Sequence, residues 1–580
     1  MRRACLLLLP LLACSRATRP AGDGAAGAAA ALPTDVSTGA DPRFDWFVYE
    51  GRDPVHDGRA PGPREYRNPI LSGFHPDPSN TRVGDDYYLV TSTFAYYPGI
   101  PIFHSRDLVS WRQIGNAIHR PSQLDFDTLG LSRGVFAPTI EHHDGTFYVL
   151  NTCVDCGGNF VVTASDPHGP WSDPTWLPEV GGIDPSLFFD DDGKAYILNN
   201  DAPIGPPLYE GHRAIWIQEF DPVAKRTVGP RTMLVNGGVD LATKPIWIEG
   251  PHIYKVGGKY YLSAAEGGTA VQHSQVVLRS DSVRGPYVPG PHNPILTQRH
   301  LDPARPFPIT SAGHADLVQT QNGDWWATFL AVRPYADDFY NTGRETFLMP
   351  VRWVDGWPVI TAGAEAVPYV HAKPALPAAP APPVPMSGNF TVREEFDDTT
   401  LAPYWLFIRT PRERWYDLDA PRGSLTLRAR PADIARRTQP SFIGRRQQHT
   451  FASASVAMRY AAAGDGDRAG LVAFQNEDHF YFLGVTLADG APVVRVERRA
   501  GTGPAGRPEV VASAPLHSAA GAPVYLRIVA RGGRYDFHYA YAPDAWIALA
   551  ENADGTILST KTAGGFVGVV FGMYAYTPQR

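Results

Sequence analysis

Cysteine is scarce in this chain, with four in 580 residues. Cys5 and Cys14 lie at the extreme N-terminus, leaving only Cys153 and Cys156 in the body of the protein. One C-x-x-C pair with no second pair and no suitable histidine spacing does not make a zinc site, and two cysteines do not make a disulfide scaffold. The pair reads as a local disulfide or as two free thiols. An excess of positive charge is also missing. Arg and Lys number 52 against 59 Asp and Glu, a formal net charge of −7, so nothing points to a nucleic-acid partner. No sustained 3.6-residue apolar period marks a long amphipathic helix. Glycine and proline are plentiful instead, at 56 and 55, and 11% of residues are aromatic. That mixture belongs to a turn-rich all-β protein, and 580 residues exceed one compact core.

Near the N-terminus a short apolar run, Leu6–Leu12, follows Arg2 and Arg3. It is too short to cross a bilayer and reads as an export signal. Leu11-Leu12-Ala13-Cys14 resembles a bacterial lipobox, in which Cys14 carries the lipid. Residues 1–14 are therefore expected to be a signal peptide with lipobox, and 15–41 an Ala/Gly-rich tether. The protein is expected to be exported from a bacterium, periplasmic or anchored to the outer membrane, with Cys14 its only attachment to lipid.

Past this leader a hairpin-like pattern occurs five times, each copy a polar turn followed by aromatic or β-branched residues. Its reference aromatics are Tyr88, Tyr148, Tyr196, Tyr261 and Trp326, separated by 60, 48, 65 and 65 residues. Repeats of that length built from strands alone predict the blades of a β-propeller. Eleven or twelve residues before each aromatic stand Asp77, Ala137, Asp184, Glu249 and His314. If these positions begin the innermost strands, three carboxylates and one imidazole converge on the axis. Burial of a carboxylate is costly without a partner or a task, so the convergence reads as a catalytic constellation.

The propeller is expected to occupy 42–371 and a Pro/Ala linker 372–387. Beyond it, Val456/Met458/Tyr460, Val494/Val496 and Val524/Leu526/Ile528 alternate as half-buried strands do. Residues 388–580 thus predict a β-sandwich, with Phe480–Val485 and Gly565–Phe571 among its strands.

Glycosidic hydrolysis needs an acid for the leaving oxygen and a carboxylate across the sugar. Asp77, Asp184 and Glu249 exceed that minimum by one, and three acids in one pocket should raise at least one pKa. Glu249, the longest, suits the general acid; Asp77 suits the base, and Asp184 would tune Glu249. Phe94, Tyr96, Tyr97 and Phe136 are candidate sugar-facing walls or core residues. Asp85, Asp86, Asp190, Asp191 and Asp192 read as solvated turn residues, and Trp325 and Trp326 as core.

Several of these segments carry a resemblance. Asn68-Pro69-Ile70 through Asp77-Pro78-Ser79, Phe136-Ala137-Pro138-Thr139, Asp184-Pro185-Ser186, Glu249-Gly250-Pro251-His252, Gly313-His314-Ala315-Asp316 and Gly343-Arg344-Glu345-Thr346 resemble glycoside hydrolase family 43. The C-terminal stretch, with Phe442–Gln447 and Phe474–Glu477, is similar to the concanavalin A-like sandwich of the family's β-xylosidases. The resemblance implies a five-bladed propeller that inverts configuration, with Asp77 as base, Asp184 as modulator and Glu249 as acid. It implies Arg344 as a contact to sugar hydroxyls; Phe94, Phe136 and His314 are the other candidate substrate-binding residues. It implies no required cofactor, and at His314 it leaves open a structural calcium ion in the channel. The expected substrate is a xylo- or arabino-oligosaccharide, cleaved by an exo-acting β-xylosidase or by an α-L-arabinofuranosidase. More distant alternatives are a retaining fructan-type glycosidase and a sugar-binding propeller without catalysis. Phe136 departs from the tryptophan more usual there, and Cys153 and Cys156 lie where the family has none.

Overall fold

The computed structural model describes residues 41–419, 421–501, 508–518 and 521–579. The expected signal peptide, Cys14 and tether lie outside the described residues.

Five antiparallel sheets form the propeller, their main strands following chain order from the axis outwards. Blade I comprises Ser79–Val83, Asp86–Val90, Gly99–Ser105 and Arg112–Ile118. Blade II is built on Thr139–His143, Thr146–Val154 and Gly158–Ala164, and blade III on Ile183–Phe189, Ala195–Asp201, Ala214–Asp221 and Arg226–Asn236. Blade IV begins with Glu249–Val256 and Lys259–Glu266, and blade V with Thr310–Gln319 and Trp325–Val332. Neighbouring innermost strands touch around the ring, and the fifth touches the first. The segment before blade I fastens onto blade V. Ile70 N–H donates to Thr346 O at 2.9 Å, and Asn68 accepts from Leu348 N–H through its side-chain oxygen at 2.9 Å.

Two sheets form the sandwich. One pairs Ser441–Arg446, Val570–Tyr576, Arg468–Asn476, His479–Ala488, Ala491–Ala500 and Glu509–Pro515. Its other, eight-stranded sheet corrects the expected domain boundary. Arg43–Gly51, assigned from sequence to the propeller, runs between Phe451–Arg459 and the strands Phe390–Glu394 and Arg422–Leu427. Phe44, Phe47 and Tyr49 explain the position, because all three are buried in the sandwich core. Local alternation identifies a strand but not the sheet it joins. The Pro/Ala linker is not free either: Leu376 and Met386 pack on blade I, and Asp107 accepts from Ala379 N–H at 3.2 Å.

The four strands Ser441–Arg446, Val570–Tyr576, Arg468–Asn476 and His479–Ala488 of the six-stranded sheet are buried on both faces, which accounts for their unbroken apolar runs. Tyr481, Leu483 and Val485 face the sandwich core. Phe480 and Phe482, the alternate residues, join Phe74, Phe94, Tyr96, Ile100 and Ile102 of the propeller. Tyr96 therefore belongs to this seam and Tyr97 to the sandwich core, while Trp325 and Trp326 pack in the propeller. Asp190 also departs from its reading as a solvated turn residue. It is buried and accepts from Lys255 Nζ at 2.5 Å and Tyr260 OH at 2.7 Å.

A buried ion cluster stitches the two domains. Arg333 of blade V donates to both oxygens of Glu345, at 2.6 and 2.8 Å, and to Asp53. It also donates to Gln448 O of the sandwich at 3.1 Å, and Asp53 accepts from Phe451 N–H at 2.9 Å. Arg333→Met leaves two buried carboxylates uncompensated and is expected to cost about 3–5 kcal/mol. Calorimetry should show a lowered Tm, partly recovered by adding Asp53→Asn and Glu345→Gln. An unchanged Tm in the single variant would contradict this account of the seam.

Candidate active site

The ladder of each blade defines equivalent positions. Ser79 pairs with Val90, Thr139 with Leu150, Ser186 with Leu198, His252 with Ser263 and Asp316 with Thr328. Two residues earlier stand Asp77, Ala137, Asp184, Gly250 and His314. Glu249 is thus one residue ahead of the repeat position, a correction to its expected equivalence. Asp77, Asp184, Gly250 and His314 share φ between 52° and 56°. That conformation costs on the order of 1–3 kcal/mol for a residue other than glycine, and it turns each side chain into the crevice. At 250 no side chain fits, because a Cβ there would come 2.6 Å from His314 Nε2. The acid is supplied by the preceding residue instead.

All three carboxyl groups, His314 and Arg344 are buried. Asp77 accepts from Ser92 Oγ at 2.5 Å and from Arg344 Nη1 at 2.9 Å and Nη2 at 3.4 Å. Ring closure brings that guanidinium over: His75 N–H donates to Arg344 O at 3.0 Å, and Thr346 Oγ1 to His75 O at 2.6 Å. Asp184 accepts from Gly250 N–H at 3.2 Å, which fixes it beside the Glu249 backbone. Asn200 donates to Ile248 O at 2.5 Å and pins the approach to Glu249.

The electrostatics follow from this crowding. Burial first, then the negative charge of Asp77, raises Glu249 to about 7, while Arg344 and Arg213 pull it down. Burial, Glu249 and Asp77 also push Asp184 well up. Asp184 and Glu249 therefore keep a proton between them in the neutral range, whereas Asp77 holds both the guanidinium and a hydroxyl donor. Burial depresses His314 to about 4, so its ring is neutral there.

Three rings form the apolar wall. Phe94 lies 5.6 Å from Phe136, and Phe566 lies 5.9 and 5.7 Å from these two. The Arg344 guanidinium is 5.4 Å from the Phe566 centroid and 5.9 Å from that of Phe94. Phe566 comes from the sandwich and was missed in the sequence, where Gly565–Phe571 read as a strand. The strand begins only at Val570; residues 564–569 are a loop inserted at the propeller mouth. Gly568 permits the approach, since a Cβ there would meet Thr342 O at 2.5 Å. Cys153 and Cys156 are joined in a disulfide. Asp155 in that turn accepts from Arg133 Nε at 2.6 Å, and the Arg133 guanidinium sits 5.9 Å from the Phe136 ring.

His314 offers one ring nitrogen and no oxygen, so a calcium ion there, which takes six to eight oxygen ligands, would have to draw its shell mainly from water. Among the described residues no three His, Cys, Asp or Glu side chains are placed to hold a metal. Asp77, 3.8 Å from His314 Nδ1, is already engaged by Ser92 and Arg344. A separate cavity of about 720 Å³ lies along the seam between blade V and the sandwich, lined by Arg333, Tyr335 and Phe451 rather than by the three acids.

A ring of five blades with three buried acids at its axis defines a propeller glycosidase, and comparison with known proteins agrees. The profile of glycosyl hydrolases family 43 matches residues 66–358, and that of the β-xylosidase C-terminal concanavalin A-like domain matches 393–580. The chain is 40% identical over 514 residues to a xylosidase/arabinosidase of Butyrivibrio fibrisolvens, covering 88% of this chain and 95% of that one. It is 38% identical over 519 residues to a non-reducing end α-L-arabinofuranosidase of Bacteroides ovatus, covering 88% and 91%. The crystal structure of a GH43_12 retrieved from a capybara gut metagenome superposes with a TM-score of 0.85 at 40% identity, covering 93% and 100%. The chain belongs to glycosyl hydrolase family 43.

The shared proton has a kinetic signature. Asp184→Asn removes one member of the coupled pair and leaves Glu249 to hold the proton alone, so that proton should be released at lower pH. The basic limb of the kcat/KM profile should then move to lower pH. A limb that stays near pH 7 would show that Asp184 does not set the protonation of Glu249.

Proposed function

We propose that this glycosidase is exo-acting and releases one pentose at a time from xylan-derived oligosaccharides, with inversion and with β-xylosides as preferred substrates. The pairing of a guanidinium-bound Asp77 with a proton held at Glu249 and Asp184 carries this reading. Asp77 takes a proton from water as the oxygen attacks the anomeric carbon. Glu249 gives its proton to the departing oxygen as the old C–O bond breaks. Asp184 keeps Glu249 protonated beforehand. Arg344, whose Nη atoms hold Asp77 at the axis, is placed to donate to a sugar hydroxyl. Phe94, Phe136 and Phe566 take the C–H faces of the ring. Closure of the wall by a loop of the second domain suits removal of terminal residues rather than cleavage within a chain.

The relatives' names favour both xylosides and arabinofuranosides, and α-L-arabinofuranosidase is the second reading. Export in a bacterium, with Cys14 as lipid anchor, is part of the proposal and rests on the leader sequence alone.

Steady-state assays on 4-nitrophenyl β-xyloside, the corresponding α-arabinofuranoside and xylobiose test the reading. The β-xyloside is expected to have the highest kcat/KM among the aryl substrates. Glu249→Gln should suffer far more on xylobiose than on the aryl xyloside, whose leaving group needs little protonation. A preference for the arabinofuranoside would select the second reading, and equal losses on both xylosides would remove Glu249 from the acid role.

A further inference from the structure

Beside Glu249 the structure presents an aromatic surface that neither the repeat nor the three-ring wall accounts for. Trp247 stands two residues before Glu249, on the segment that enters blade IV. Ile248 between them is fully buried in the core shared by blades III and IV. Its two neighbours therefore turn away from that core, Glu249 into the crevice and Trp247 to the rim. Trp247 remains 38% exposed and has a φ of 52°, a conformation a bulky aromatic residue rarely adopts. Strain of this kind persists only where surrounding contacts enforce it. Here Trp247 N–H donates to Gly211 O at 2.8 Å, and Ile246 O accepts from Gly267 N–H at 2.9 Å. Tyr209 OH braces the same segment by donating to Pro245 O at 2.8 Å.

Arg213 completes the surface. Its guanidinium carbon lies 4.5 Å from the Trp247 ring centroid, covering one face of the indole. Its Nε is buried with no hydrogen-bond partner, and its charge also acts on Glu249. A packing role alone would bury the indole and pair the guanidinium with a carboxylate. Instead an indole face is left exposed and the guanidinium has no carboxylate partner among the described residues, two positions in the chain from the residue proposed to protonate the leaving oxygen.

We propose that Trp247 and Arg213 form the subsite for the sugar on the leaving side of the scissile bond, the free indole face stacking on its C–H face and Arg213 donating to a hydroxyl. The inference rests on Glu249 being the general acid of a pentosidase. It makes the pair a determinant of preference for oligosaccharides over simple glycosides, separate from the Phe94, Phe136 and Phe566 wall.

The test compares methyl β-xyloside, whose leaving group cannot reach the platform, with xylobiose, using the full-length protein. If the wild type prefers arabinofuranosides, the corresponding methyl glycoside and disaccharide replace them. Trp247→Ala is expected to lower kcat/KM about tenfold on the disaccharide, mainly through KM, and to leave the methyl glycoside nearly unchanged. Trp247→Phe should restore most of the disaccharide rate, whereas Trp247→Leu, of similar apolar bulk, should not. Arg213→Met should weaken disaccharide binding and move the basic limb of the pH profile upwards, because a charge that lowers the Glu249 pKa is lost. Equal losses on both substrates, or rescue by Leu as good as by Phe, would overturn the platform. Failure of the wild type to cleave any pentoside would instead overturn the function on which it rests.

Discussion

Three carboxyl groups brought into one buried crevice with a single guanidinium in contact are the constraint around which this protein is built. Isolated, each would be driven to neutrality by the loss of water. Together they divide the roles: Asp77 holds Arg344 and Ser92, while Asp184 and Glu249 retain a proton between them. The division depends on backbone, not on flexible side chains. Left-handed residues at the head of the innermost strands aim Asp77, Asp184 and His314 inwards, and Gly250 leaves room for the imidazole. Ring closure through Asn68–Leu71 sets Arg344 against Asp77, so the site exists only when the propeller is shut.

The second domain is part of this arrangement. Its six-stranded sheet has two apolar faces, one for its own sandwich and one for the propeller. The buried Arg333 cluster ties Asp53, Glu345 and the Gln448 carbonyl at the same joint. Glu345 also accepts from Gly73 N–H at 2.8 Å, four residues before Asp77. Seated this way, the sandwich delivers Phe566 to the Arg344 guanidinium, and the crevice is walled by both domains.

Much of this was legible from residue spacing. Five aromatic landmarks marked blades whose ladders are equivalent at those residues, and three acids preceded them at nearly constant distance. The slack of one residue in that distance concealed that Glu249 is displaced and that Gly250 holds the repeat position. A backbone conformation with positive φ is not visible as periodicity. Phe566 was hidden for a different reason: Gly565–Phe571 has the composition of a strand, and only docking against Thr342 and Ser132 makes its first part a loop. Arg43–Gly51 likewise showed a strand, but partners some 400 residues away decided its sheet. Asp190 looked like one more turn acid until Lys255 and Tyr260 were seen to close on it.

The account stands on Asp77 activating water rather than attacking sugar. Proton NMR of the first minutes of hydrolysis of an aryl β-xyloside reports this directly, before mutarotation mixes the anomers. Inversion predicts that α-xylose appears first and that added methanol yields no methyl glycoside of retained configuration. Initial appearance of β-xylose would make Asp77 a nucleophile and contradict the division of roles among the three acids.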